Sequence, residues 1–314
     1  MPLSPGTRLV AVVGALAIVY LVWGSTYTAI AVSLETLPPF LLAGTRFLAA
    51  GAILYALARL TSARAMRPTR RQWAWATLTG VPLLVVGNGG VVWAQQRVPS
   101  GVAALLITTV PLWIAALDRL AFGARLDRRS LIGLAVGFGG VALLVDVGGA
   151  GGADPLGALV LVLAAAGWAT GSLLARGSSL PAQPLLTAAM QMLAGGTVLL
   201  GVAVATGELD DAGAVSARSF AGWAYLVVFG SIVAFSAYGW LLRSAPTPLV
   251  ATYAFVNPVV AVLLGWALLD EPIGPRTLVA GSVIVGAVAL IVFGTARAPA
   301  RGRRRRRELA AEPA

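Results

Sequence analysis

Arg46 stands eight residues past Pro38 in PPFLLAGTRFLAAGAILYAL, a run of twenty residues that is apolar almost throughout. A guanidinium carries five N–H donors and a permanent charge, so the chemistry open to it is the holding of an anion. If the run is a helix rising about 1.5 Å per residue, Arg46 lies about 12 Å below its start. Insertion scales place an arginine at such a depth in a bilayer at about 2.5–3.5 kcal/mol, and intramembrane charges face a cavity or a partner. Arg46 therefore reads in two ways. It is an electropositive contact for a substrate carboxylate, or a structural arginine satisfied by helix-end carbonyls or by an acid on another helix.

A second group of polar and aromatic residues interrupts other apolar runs. WGST offers Trp23 as a stacking surface, with Ser25 and Thr26 able to hydrogen-bond across helices and Gly24 admitting a neighbouring backbone. The alternative is small-residue packing with an outward tryptophan. VGNGG places Asn88 inside an apolar run, where a buried amide needs a partner or water. Pro82 and the nearby glycines predict a kink there. YAFVNP puts Tyr253 and Asn257 four residues apart, on one helix face, and Pro258 frees the carbonyl of Ala254. These suit an amphiphilic solute, or serve only to stabilise the kink. Trp168 in AGWATGS and Gln191 complete the set of cavity candidates.

Other chemistry is absent from the sequence. With no Cys and no His, the chain has no disulfide, no thiolate metal site and no imidazole proton shuttle. GGAGGADP lacks the Gly-Lys-Ser/Thr ending of a phosphate-cradling loop. No clustered acids suggest catalysis, so neither an enzyme nor a cofactor or metal is expected.

These residues must be held by membrane helices. Of 314 residues 58% are hydrophobic and only 11% charged, with mean hydropathy +0.86, against about 25% charged in soluble domains. A spanning helix needs about 20 apolar residues, and ten runs qualify: 9–32, 38–58, 73–93, 100–120, 130–147, 155–175, 184–206, 219–241, 247–269 and 277–296. None alternates as a β-barrel strand would. All 23 basic residues are arginine, and seven lie at or after Arg297. With the N-terminus in the cytoplasm, the inside segments before that tail hold 12 arginines and the outside segments 3. The positive-inside rule then puts both termini in the cytoplasm. The basic charge follows topology and anionic lipid, and no nucleic-acid partner is expected.

The chain also repeats itself. Shifted by 145 residues, Pro39–Ala58 falls on Pro184–Ala203 with eight of twenty positions identical, and Arg46 meets Gln191 and Trp23 meets Trp168. Shifted by 147, Trp93 meets Trp240, Pro99 meets Pro246 and Pro111 meets Pro258. The organisation expected is an N-terminal segment 1–8, a first repeat 9–147, a Gly-rich linker 148–154, a second repeat 155–296 and a basic tail 297–314. Five spans per repeat force the halves into opposite orientations, the architecture of transporters whose site lies at the midplane between repeats. Gly133 and Gly137 form GxxxG, a signal for close packing within the chain or in a homodimer.

LVWGSTYTAI (21–30), VGNGGVVWAQQRVPSGVAALL (86–106) and YAFVNPVVAVLLGWALLDEP (253–272) resemble the drug/metabolite transporter superfamily, EamA family. The resemblance covers roughly residues 10–295 as two EamA repeats. It implies an all-α integral membrane protein of ten helices in two inverted five-helix repeats. It also implies export of amino acids, metabolites or drug-like solutes, without naming the solute. The family often ends its fourth and ninth spans with a Gly-Glu-like step. Glu271 fits, but its repeat partner is Ala124, which argues for a helix-end or loop feature over a paired coupling site. Alternating access is the mechanism expected, driven by an ion gradient or the solute's own, with weak or indirect proton coupling because acids are nearly absent from the spans. A lipid flippase, with Arg46 on a headgroup phosphate, and a passive channel are the rival readings.

Overall fold

The computed structural model describes residues 5–61, 67–123, 128–144, 153–210, 213–250 and 252–296. The basic tail, most of the Gly-rich linker, Ala124 and the first four residues lie outside them. Among the described residues the chain is helical throughout, as an apolar backbone must be to satisfy its own N–H and C=O groups in lipid.

Seven helices are long and apolar enough to cross a membrane. They are α1 (Pro5–Ser33), α2 (Pro39–Thr61), α3 (Arg70–Ala94), α4 (Ser100–Ala121), α6 (Pro155–Arg176), α7 (Pro184–Ala205) and α8 (Ala217–Leu241). Three more, α5 (Arg128–Leu144), α9 (Tyr253–Leu269) and α10 (Pro275–Ala296), carry shorter apolar segments. One helical turn, Thr247–Val250, precedes α9.

Local chemistry sets the boundaries. Proline opens α2, α6, α7 and α10, where its missing N–H costs nothing. Thr69 and Gln72 form a reciprocal capping box at the start of α3. Gly123, at φ 66°, ends α4 in the left-handed conformation. The Asp154 carboxylate accepts the Gly157 N–H at 2.7 Å and caps α6. Asp154→Ala is expected to lower stability by about 1 kcal/mol, read as a drop in the thermal midpoint of the detergent-purified protein.

The helices pack in pairs that map onto one another when the halves are exchanged. α2 lies along α7, α5 along α10 and α4 against α9. α1 meets α8 and α9, and correspondingly α6 meets α3 and α4. Within this frame Gly137 and Gly140 of α5 press on Leu112, Ile284 and Ala287, so the small-residue face of α5 packs inside the chain. Large apolar side chains such as Leu60, Leu120 and Trp266 face outward, as a lipid-facing surface requires.

Two helices are distorted at matching places. α3 is π-helical over Val81–Gly89 and α8 over Leu226–Val233, 145 residues further on. The kink foreseen at Pro82 is the first of these. The second has no proline, and sequence alone gave no sign of it. α4 also breaks between Ile107 and Val110, ahead of Pro111.

Candidate functional site

The π-helical stretch of α3 and the break in α4 border a central cavity with about 900 Å³ between its walls, its open part included. α1 supplies Trp23, Thr26 and Tyr27; α2 supplies Arg46; α3 supplies Gly87 and Asn88. α4 contributes Thr108 and Pro111 from its break, and α6 contributes Trp168. Phe235 of α8 and Tyr253 and Asn257 of α9 close the ring. Both halves of the chain therefore build one chamber.

Seven residues singled out in the sequence meet here: Trp23, Thr26, Arg46, Asn88, Trp168, Tyr253 and Asn257. Two do not. The Ser25 hydroxyl turns to the Val22 carbonyl, at 2.9 Å, and to the Tyr225 hydroxyl, at 2.6 Å. Gln191 donates from Nε2 to Thr79 Oγ1 at 2.8 Å and lines a separate, smaller space of about 270 Å³.

Arg46 is 4% exposed. Its Nε donates to Ser231 Oγ at 3.0 Å, in the π-helical stretch of α8, and its guanidinium carbon lies 4.8 Å from the centre of the Phe47 ring. Among the described residues no carboxylate pairs with it, and its Nη groups donate to no protein acceptor. The inter-helix acid that one reading called for is thus missing, and the terminal N–H groups are left to the cavity.

The other polar groups are partly committed. Asn88 Nδ2 donates to the Leu83 carbonyl, five residues back, at 3.3 Å; the π turn sets that spacing. Its Oδ1 has no protein donor among the described residues. With its nitrogen turned toward the carbonyls, Asn257 donates to Tyr253 O at 3.2 Å and Tyr20 O at 3.3 Å. Thr26 Oγ1 returns to the Trp23 carbonyl at 2.6 Å.

The aromatic wall is locked by its own contacts. The Trp23 ring sits 5.3 Å from Phe235 and from Tyr253, and 5.0 Å from Tyr238. Its Nε1 donates to the Gly230 carbonyl at 3.2 Å. A Cβ on Gly24 would lie 2.6 Å from Val260 Cβ, so only glycine lets α1 approach α9 this closely. Trp168 lies against Gly87, whose added Cβ would meet the ring at 3.3 Å.

Residues not foreseen include Tyr27, Phe235 and Thr108. Tyr27 follows Trp23 by four residues and so shares its helix face. Thr108 and Thr109 ahead of Pro111 were the legible sign of a break in α4.

Asp118 and Glu271, outside the cavity, have structural partners. Asp118 pairs with Arg176 of α6 at 3.4 Å. Glu271 accepts the backbone N–H groups of Ser100 at 2.6 Å and Gly101 at 3.1 Å, and the Ser100 hydroxyl at 3.1 Å. It caps α4 from the other half of the chain, the helix-end role expected of it.

Comparison with known proteins bears on this chamber. The EamA-like transporter family model matches residues 10–146 and again 155–293. The "Uncharacterized inner membrane transporter YedA" of Escherichia coli (strain K12) is 40% identical over 295 residues, 94% of each chain. The "Probable amino-acid metabolite efflux pump" of Salmonella typhimurium is 28% identical over 88% of this chain and 93% of its own. A solved crystal structure, 21% identical, superposes with a TM-score of 0.63 over 90% of this chain and 96% of that one, a likeness of fold alone.

Proposed function

The chain belongs to the EamA-like transporter family, a premise from which we propose that it is a ten-span secondary exporter of small amphiphilic solutes working by alternating access. Amino acids, related metabolites and drug-like compounds are the solute classes, with the inner membrane as the site of action. α5, α9 and α10 cross the bilayer with the seven longer helices, and both termini face the cytoplasm.

The observation that carries this reading is the chamber itself. One cavity is lined by both halves; the π-helical stretch of α3 borders it, and that of α8, 145 residues further on, holds its arginine through Ser231. π-bulges gather at functional sites. Helix pairings that survive exchange of the halves support an inverted repeat, and two inverted bundles can rock about a midplane site. The arginine count across the loops supports the orientation. The name of the Salmonella relative supports efflux of amino-acid metabolites.

Arg46 contacts the solute's anionic group in this scheme, and the aromatic wall holds its apolar part. No acidic residue is among the described residues lining the chamber, so export follows the solute's gradient with little dependence on protons.

The test is counterflow in liposomes of the purified full-length protein. The solute is one against which the protein protects a sensitive host. Saturable counterflow, changed less than about threefold by an imposed pH gradient of one unit, is expected. Unsaturable flux without counterflow would make the protein a channel. Phospholipid movement without solute counterflow would make it a flippase.

A further inference from the structure

We propose that the chamber selects a monoanion with a flat apolar body and no ammonium group. The inference rests on the transport reading above and sharpens it, since amino-acid zwitterions become the poorer substrates.

Charge comes first. Among the described residues, Arg46 is the sole charged one lining the cavity. One of its donors serves Ser231, and its Nη groups serve no protein atom among the described residues. A guanidinium sealed among apolar helices without a counter-ion gains most from a ligand that brings one negative charge. A dianion would bring a second charge for which the walls hold no cation.

The rest of the wall gives the shape. Trp23, Tyr27, Trp168, Phe235 and Tyr253 present five rings to one cavity, which suits a flat apolar body. The Trp168 indole N–H donates to nothing among the described residues, a second donor suited to a carboxylate or sulfonate oxygen.

An ammonium group finds no equivalent reception. It brings three donors and a positive charge. Asn88 Oδ1, the Tyr27 and Tyr253 hydroxyls and the ring faces offer it only neutral contacts, and no carboxylate is among the described lining residues. The Arg46 charge repels it through a low-dielectric interior. A zwitterion loses at its ammonium what it gains at its carboxylate.

Four ligands that share one phenyl ring test this: 3-phenylpropionate, 2-phenylethanesulfonate, phenylalanine and 2-phenylethylamine. Binding to the purified full-length protein in detergent is followed by calorimetry and by quenching of tryptophan fluorescence. Both anions are expected to bind at least about tenfold more tightly than phenylalanine, and the amine not to saturate. In Arg46→Gln the four should fall within about threefold of one another. Should that variant fail to accumulate, the wild-type series decides. Phenylalanine binding as tightly as 3-phenylpropionate overturns the proposal. So does counterflow of another solute by a protein that binds neither anion, and transport then survives. Tight anion binding without counterflow of any solute overturns the transport reading and leaves the charge selection standing.

Discussion

Gly44→Leu is expected to lower the thermal midpoint steeply, or to abolish accumulation, whereas Gly201→Leu leaves both nearly unchanged. Gly44 and Gly196 face each other where α2 lies along α7. A Cβ on Gly44 would sit 2.8 Å from the Leu200 backbone nitrogen and 3.1 Å from its Cα. One on Gly196 would sit 2.9 Å from the Leu48 nitrogen and 3.1 Å from the Gly44 carbonyl oxygen. Backbone cannot rotate aside, so the helices must separate. In lipid no hydrophobic force restores them, since helix association there rests on close packing. The cost is on the order of 3 kcal/mol. Gly201 lies on α7, the helix of Gly196, with open space around it, so its substitution controls for a leucine placed in a helix away from the seam. Equal midpoints for the two variants would mean that α2 and α7 do not meet as described. The seam also bears on function, because Arg46 lies two residues past Gly44 and depends on it for its position.

Much of this was legible before any coordinates, and the rest failed for identifiable reasons. The family was legible because LVWGSTYTAI, VGNGGVVWAQQRVPSGVAALL and YAFVNPVVAVLLGWALLDEP occur together in one chain. The helical class was legible because long apolar runs admit little else in a bilayer. Arg46 stood out because its depth is costly unless something meets it. Ser25 and Thr26 could not be told apart, because neighbours on a helix differ by about 100° in direction and only packing says which one faces the cavity. Gln191 occupies the repeat position of Arg46, yet it reaches Thr79, and repeat symmetry fixes a backbone place without fixing a side chain's partner. The π stretch of α8 was invisible because nothing like Pro82 marks it. Thr108 was missed because a threonine in an apolar run satisfies its own helix, here through the Ala104 carbonyl at 2.9 Å.

Glu271→Gln is expected to open the chamber toward the outer face. The carboxylate holds Ser100 and Gly101 at the head of α4 through three hydrogen bonds and ties the second half of the chain to the first. Beside this contact α1 packs on the Ser100–Ile107 segment. Repeat symmetry would have α6 and α9 meet in the same way at the opposite end, and they make no contact of similar extent among the described residues. From this asymmetry we infer that the chamber is shut at the Ser100 end, which on the proposed topology is external. The residue that would mirror Glu271 is Ala124, so the chain keeps a carboxylate for only one of the two ends. Loss of the charge weakens hydrogen bonds that are each worth about 1.5–3 kcal/mol. A net penalty of about 2 kcal/mol on the closed state raises the outward-open population about 30-fold. The chain has no cysteine, so Thr108→Cys gives a single thiol in the chamber wall. Its labelling by a membrane-impermeant maleimide added outside cells should accelerate by about the same factor when Glu271→Gln is added, because the rate follows the open fraction. An unchanged rate, with both proteins equally abundant, would mean that Glu271 caps α4 without holding the outer end shut. Faster labelling from the cytoplasmic side alone would reverse the assigned orientation.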